Sequence, residues 1–181
     1  MEAALFFIVK TLLELYLLTF LLRFLLQWVR ADFHNPLSQF IVRVTNPVVR
    51  PLRRVIPSWR GLDMASLVAL LVLQLIVTAG IMYFAGHRMD SLALMQFALM
   101  RTAVLVIRFY FFAILVYAIL SWVSPGQWNP LTGLLASLTE PVLAPVRRFI
   151  PPIGGLDLSP LFVLIGLQAL LLLFPLPGYL S

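Results

Sequence analysis

The chain has 181 residues, of which 62% are hydrophobic and only 11% charged, and its mean hydropathy is +1.01. A soluble domain lies nearer half apolar and a quarter charged, so the composition predicts an all-α membrane protein rather than a larger soluble core. The lack of cysteine excludes disulfides, thiol chemistry and thiolate metal sites. The net charge of +6, mostly arginine, points to anionic membrane lipids as partners rather than to nucleic acid.

Four stretches read as transmembrane helices, each needing about 20 mostly apolar residues. The first lies within Ala3 to Val29 and carries Lys10, Glu14 and Arg23. It has no basic n-region or cleavage site, so it reads as a retained span rather than a signal peptide. The second runs from Met64 to Phe84 without a formal charge. The third spans Thr102 to Val123 and is interrupted by Arg108. The fourth, Leu158 to Leu176, ends near Pro175 and Pro177, with Tyr179 placed to sit at the interface. Arginine is concentrated between spans one and two and between spans three and four. The positive-inside rule then places both proline-rich segments in the cytoplasm and both termini outside. Arg101 and Lys10 weaken that contrast.

Shifting the chain by 94 residues aligns its halves without a gap. Asn35-Pro36-Leu37 falls on Asn129-Pro130-Leu131, and Thr45 on Thr139. Pro47 falls on Pro141, Pro51 on Pro145, and Arg53-Arg54 on Arg147-Arg148. Gly61-Leu62-Asp63 falls on Gly155-Leu156-Asp157, and Gln74 on Gln168. Leucine matches in apolar spans carry little information, but matches at Asn, Pro, Arg and Asp carry much. The expected organisation is a first repeat over 1–86, a connecting loop over 87–101 and a second repeat over 102–181. Two spans per repeat make the repeats parallel, unlike the inverted repeats of many transporters.

Each repeat holds a proline-rich interfacial segment. Asn35 and Asn129 read as N-caps, with Pro36 and Pro130 at the first helical position, where a missing N–H costs nothing. Leu37, Phe40, Ile41 and Val44 fit one face of a short interfacial helix. Thr45 and Thr139 can cap a second turn that begins at Pro47 and Pro141. Pro51 and Pro145 should bend the chain, because a residue before proline avoids the helical region. Pro57 and Pro151 then close the segment. Asp63 and Asp157 sit where a carboxylate can cap the next span. Arginines at 53, 54, 147 and 148 can anchor headgroups as purely structural elements. Alternatively, the paired segments form one basic surface that binds anionic lipid or docks a protein partner.

Ionisable residues inside spans are functional candidates. Glu14 and Arg108 are 94 residues apart, so a pseudo-twofold axis could pair them. Glu14 could instead pair locally with Lys10, or both could lie near the outer interface and snorkel. Arg23 has Tyr117 as its equivalent and so lacks a charged counterpart. Gln74 and Gln168 could bond across helices or locally. His34 and His87 are isolated and read as loop residues. Neither a nucleophile–base arrangement, a phosphate loop nor metal-ligand spacing is present. The expectation is therefore a non-enzyme without cofactor or metal. Glu140 faces Asn46 in the alignment, and a lone carboxylate is poor ground for catalysis.

The "NP" before each segment and the run "TEPVLAPVRRFIPPIGGLDLSP" in the second half resemble the YggT family of bacterial and plastid membrane proteins, over nearly the whole chain. The first half departs from the pattern: Asn46 replaces Glu140, Arg50 replaces Ala144 and "DMAS" replaces "DLSP". The resemblance implies an integral inner-membrane protein. Plastid relatives are associated with cytochrome b6f assembly, including haem attachment, and with nucleoid organisation. A bacterial relative is associated with osmotic tolerance and potassium uptake. From this follow two expectations. The first is a membrane scaffold or assembly factor, possible as a homo-oligomer or with a protein partner. The second is an oligomeric channel or channel modulator.

Overall fold

The structure is a computed structural model that describes residues 2–86, 90–123, 129–150, 157–178 and 180. His87, Pro151, Gly155, Leu156 and Tyr179, each named above, lie outside the described residues. The described residues form six α-helices: α1 (Glu2–Trp28), α2 (Pro36–Leu52), α3 (Met64–Phe84), α4 (Ser91–Val123), α5 (Pro130–Phe149) and α6 (Ser159–Leu171). No β-strand occurs among them.

Among the described residues three helices, not four, are long and apolar enough to cross a membrane: α1, α3 and α4. The fourth expected span contracts to α6, an apolar helix of 13 residues. At 1.5 Å per residue that is about 20 Å, against a hydrocarbon core of about 30 Å. Ser159-Pro160 opens it, and the chain leaves the helix at Leu172, just ahead of Pro175. The third span starts earlier than the sequence suggested. Asp90 accepts the Ala93 N–H through Oδ1 at 2.7 Å, and α4 then runs unbroken from Ser91. Most of the expected loop over 87–101 is therefore helix, and Arg101 is a buried helical residue.

The proline-rich segments also differ from expectation. α2 continues through Pro47 and Pro51, and α5 through Pro141 and Pro145. Thr45 and Thr139 cap nothing. Both are buried within their helices and donate back to the carbonyls of Ile41 (2.7 Å) and Leu135 (2.8 Å). Proline removes one N–H and crowds the carbonyl four residues earlier. All four internal prolines lie on exposed positions, so the carbonyls they strand face outward, where other donors can reach them. The starts follow the capping chemistry. Asn35 accepts the Leu37 N–H at 2.9 Å, and Asn129 forms a capping box with Thr132.

α1 packs on α2 and α3, which touch each other, and α4 packs in the same way on α5 and α6. The two trios meet mainly through α3 and α4, with further contacts between α1 and α4 and between α2 and α5. Small residues at the start of α3, Ala65, Ser66 and Ala69, are buried, and α1 and α3 pack together. Outward apolar residues such as Leu5, Phe7, Ile76 and Phe112 stay exposed, as suits helices that face hydrocarbon.

Two reversals position the charged residues. After α1, Ala31 N–H bonds to the Leu26 carbonyl at 2.9 Å, while Arg30 takes a left-handed φ of 53°. This is the Schellman pattern with arginine where glycine is usual, at a cost of about 1–2 kcal/mol. Before α3, Trp59 and Leu62 exchange two backbone hydrogen bonds. Arg60 (φ 51°) and Gly61 (φ 84°) form the tight turn between them.

Candidate functional site

Asp63 is the centre of the first trio. It is the N-cap of α3 and only 2% of its side chain is exposed. Ser66 donates to it through Oγ at 2.5 Å. Arg53, just past the end of α2, grips both carboxylate oxygens, with Nη2 to Oδ2 at 2.5 Å and Nε to Oδ1 at 3.2 Å. Arg23, from α1, places Nε 3.4 Å from Oδ2. Burial pushes the Asp63 carboxyl up, but the bonds from Arg53 and Ser66 and the charges of Arg53 and Arg23 outweigh it and hold the group below its usual range. Arg23 also reaches α2, donating through Nη1 to Thr45 Oγ1 (2.7 Å), Asn46 Oδ1 (3.0 Å) and the Val42 carbonyl (3.3 Å). One carboxylate thus ties α1, α2 and α3 together.

The second trio has the same pair at the equivalent positions. Arg147 Nε donates to Asp157 Oδ2 at 2.7 Å, and each residue is 94 beyond its first-half counterpart. The surroundings differ. Tyr117 stands where Arg23 does, and Glu140 where Asn46 does. Glu140 takes a second bond from Arg147, at 2.7 Å. Burial alone would lower the Arg147 pKa, but its bonds to Asp157 and Glu140 raise it above the ordinary guanidinium value. Burial would raise Asp157; the Ser159 N–H and the bond from Arg147 bring it below the ordinary value. The first centre holds two arginines and one carboxylate, net +1. The second holds one arginine and two carboxylates, net −1. The aspartates also differ in access to water: Asp157 is 29% exposed and Asp63 2%, whereas their arginine partners are both partly exposed.

Glu14 pairs with Arg101, not with Arg108. Arg101 Nη2 donates to Glu14 Oε1 at 2.8 Å, and its other terminal nitrogen reaches Thr78 Oγ1 at 3.5 Å. The sequence reading missed Arg101 because it was assigned to a loop. Its spacing of seven from Arg108, two helical turns, was the signal that both share a face. Arg108 lies near the same small cavity, of about 120 Å³, that Glu14, Gln74 and Arg101 line. Gln74 is buried and Gln168 exposed, and no hydrogen bond joins them among the described residues. His34 is exposed and bonded to Asp32.

Of the four arginines expected to form a basic surface, Arg53 and Arg147 are engaged by aspartates, while Arg54 and Arg148 are exposed. Arg43 and Arg50 join them on the exposed side of α2. No group of three His, Cys, Asp or Glu residues is spaced to hold a metal among the described residues.

The profile of the CCB3/YggT family matches residues 2–84 and 96–176. The chain belongs to the CCB3/YggT family. The two matched stretches contain the two centres, one each. Among relatives of this YggT-family chain, an uncharacterized protein of Pseudomonas aeruginosa is 44% identical over 170 residues, covering 93% of the chain and 86% of that protein. An uncharacterized protein of Vibrio alginolyticus is 45% identical, covering 90% and 88%. The uncharacterized protein YggT of Escherichia coli K12 is 38% identical, covering 91% and 85%. No solved structure matches the chain.

Proposed function

We propose that this YggT-family protein is a non-enzymatic membrane scaffold or assembly factor of the bacterial inner membrane. Its two interfacial helices, α2 and α5, form a basic platform at the cytoplasmic headgroup layer. The observation that carries this reading is the division of α2. Ser38, Ile41, Thr45 and Val49 face the protein, while Phe40, Arg43, Arg50 and Arg54 are exposed. An exposed face that mixes an aromatic ring with arginines suits the plane of the interface. Arg148 and Phe149 offer the same combination at the end of α5. Parallel repeats would set both helices at one membrane face, and the bond from Asn35 Nδ2 to the Pro130 carbonyl, at 2.6 Å, supports that arrangement.

The test is a variant with Arg43, Arg50, Arg54 and Arg148 all changed to glutamine. Membranes are solubilised gently, and the size of the native complex is read on a native gel. The reading expects the complex to fall to a smaller species while the variant stays folded. Retention of the full-size complex sinks the platform. A potassium channel is the weaker reading, because two arginines and one glutamate surround the membrane-embedded cavity, a balance that repels cations.

A further inference from the structure

A second, larger cavity, of about 520 Å³, opens where α1 ends, α2 begins and the chain turns into α3. Arg23, Arg30 and Arg53 line it, together with Gln27, Phe33 and Gly61. One carboxylate, Asp63, is bonded to two of the three arginines, so the cavity carries a net charge of +2. Arg23 Nε is buried and faces Asp63 Oδ2 at 3.4 Å without a hydrogen bond of its own. Arg30 is held at the rim by a left-handed backbone that arginine adopts only at a cost.

We propose that this cavity binds a phosphate group, carried by a lipid headgroup or free in solution. Guanidinium groups present paired N–H donors that match phosphate oxygens. Asp63 fixes two of them in place while leaving positive charge in excess, which is the preorganisation an anion site needs. The second half lacks the same arginines. Tyr117 and Ser124 stand where Arg23 and Arg30 do, and Arg147 is neutralised by two carboxylates. A headgroup as the source rests on the reading that α2 lies in the headgroup layer; free phosphate does not.

The experiment uses the purified full chain in a neutral detergent and follows its unfolding midpoint against ligand concentration. The probes are dioctanoyl phosphatidylglycerol, dioctanoylglycerol without the phosphate, and inorganic phosphate. A saturable rise is expected with phosphatidylglycerol and none with dioctanoylglycerol. Saturation by inorganic phosphate at equal or lower concentration would identify free phosphate as the source; otherwise the headgroup is the source. Arg30→Gln should shift the curve about tenfold or more toward weaker binding, as loss of a charge-assisted hydrogen bond implies. Asn46→Glu, which places the second-half residue beside Arg23, should weaken binding similarly without lowering the ligand-free midpoint. Arg108→Gln, at the other cavity, should leave the curve unchanged. No saturable rise with either phosphate probe, or a curve that ignores both Arg30→Gln and Asn46→Glu, would overturn the site. Equal weakening by Arg108→Gln would also overturn it, since the attraction would then be diffuse. The four-arginine platform variant keeps Arg23, Arg30 and Arg53, so a failed platform and a failed cavity give separate results.

Discussion

The Asp63 and Asp157 centres use the same arginine–aspartate pair at the same ten-residue spacing, yet they differ in charge and in access to water. In the first, Arg23 adds a second cation, and Arg23 and Asp63 are both buried. In the second, Glu140 adds a second anion and the cluster is partly exposed. The shared pair fastens the end of α2, or of α5, to the start of the following helix. The third charged residue is what distinguishes the halves. In the first it recruits another helix, because Arg23 belongs to α1. In the second it is local, because Glu140 and Arg147 are both on α5.

The strongest way to break this comparison is Asp63→Asn, which strands Arg23 and Arg53 together. Breaking a buried pair costs about 3–5 kcal/mol, and denaturation of the reconstituted protein should show a loss of that order. Glu14→Gln comes next. It leaves Arg101, 5% exposed, without its carboxylate, at about 2.5–3.5 kcal/mol for a charge near a helix centre. The double reversal Glu14→Arg with Arg101→Glu should recover most of the loss, whereas reversing Glu14 with Arg108 should recover none. Asp157→Asn should cost only about 1 kcal/mol, because the pair is partly solvated and Arg147 keeps Glu140. A loss equal to that of Asp63→Asn would erase the distinction between the centres. Glu140→Asn should be smallest, below about 0.5 kcal/mol.

Acid sharpens the same contrast. Both aspartates are depressed when folded, so each stabilises the fold above its unfolded pKa of about 3.9. That contribution is lost as pH falls through the depressed folded value. Thermal midpoints measured downward from pH 5 should fall more steeply for the native chain than for Asp63→Asn. Asp157→Asn should remain closer to the native curve.

Much of the helical frame was legible in the sequence. The span at Met64–Phe84 and the caps at Asn35, Asn129 and Asp63 follow from apolar length and local hydrogen bonding. The continuity of α2 and α5 through their prolines was not legible from local rules, which place a bend before Pro51. Burial of Ile41, Thr45 and Val49 keeps the helix continuous, and the i, i+4 spacing of Pro47 and Pro51 puts both defects on the exposed side. The Arg53–Asp63 pair was visible only as a cap beside a basic cluster. Nothing local says that an arginine ten residues back will return to its aspartate; the turn at Arg60-Gly61 does that. Arg101 was lost for a similar reason, since a charge near a hydrophobic stretch reads as its edge until a carboxylate on another helix is known to meet it.

The ion pairs of the two centres have an implication for the order of assembly. Arg53–Asp63 and Arg147–Asp157 close loops of only ten residues, and Arg23–Asp63 closes one of forty. Glu14–Arg101 bridges 87 residues. Loop-closure entropy rises with length, so each trio can knit itself together soon after its last helix enters the bilayer, while the seam between trios forms late. Halves expressed as separate chains, divided between Gly86 and Ser91, should each resist proteolysis, and Glu14→Gln should impair their association before it impairs either half. Failure of the separate halves to fold would show that the seam is needed from the start.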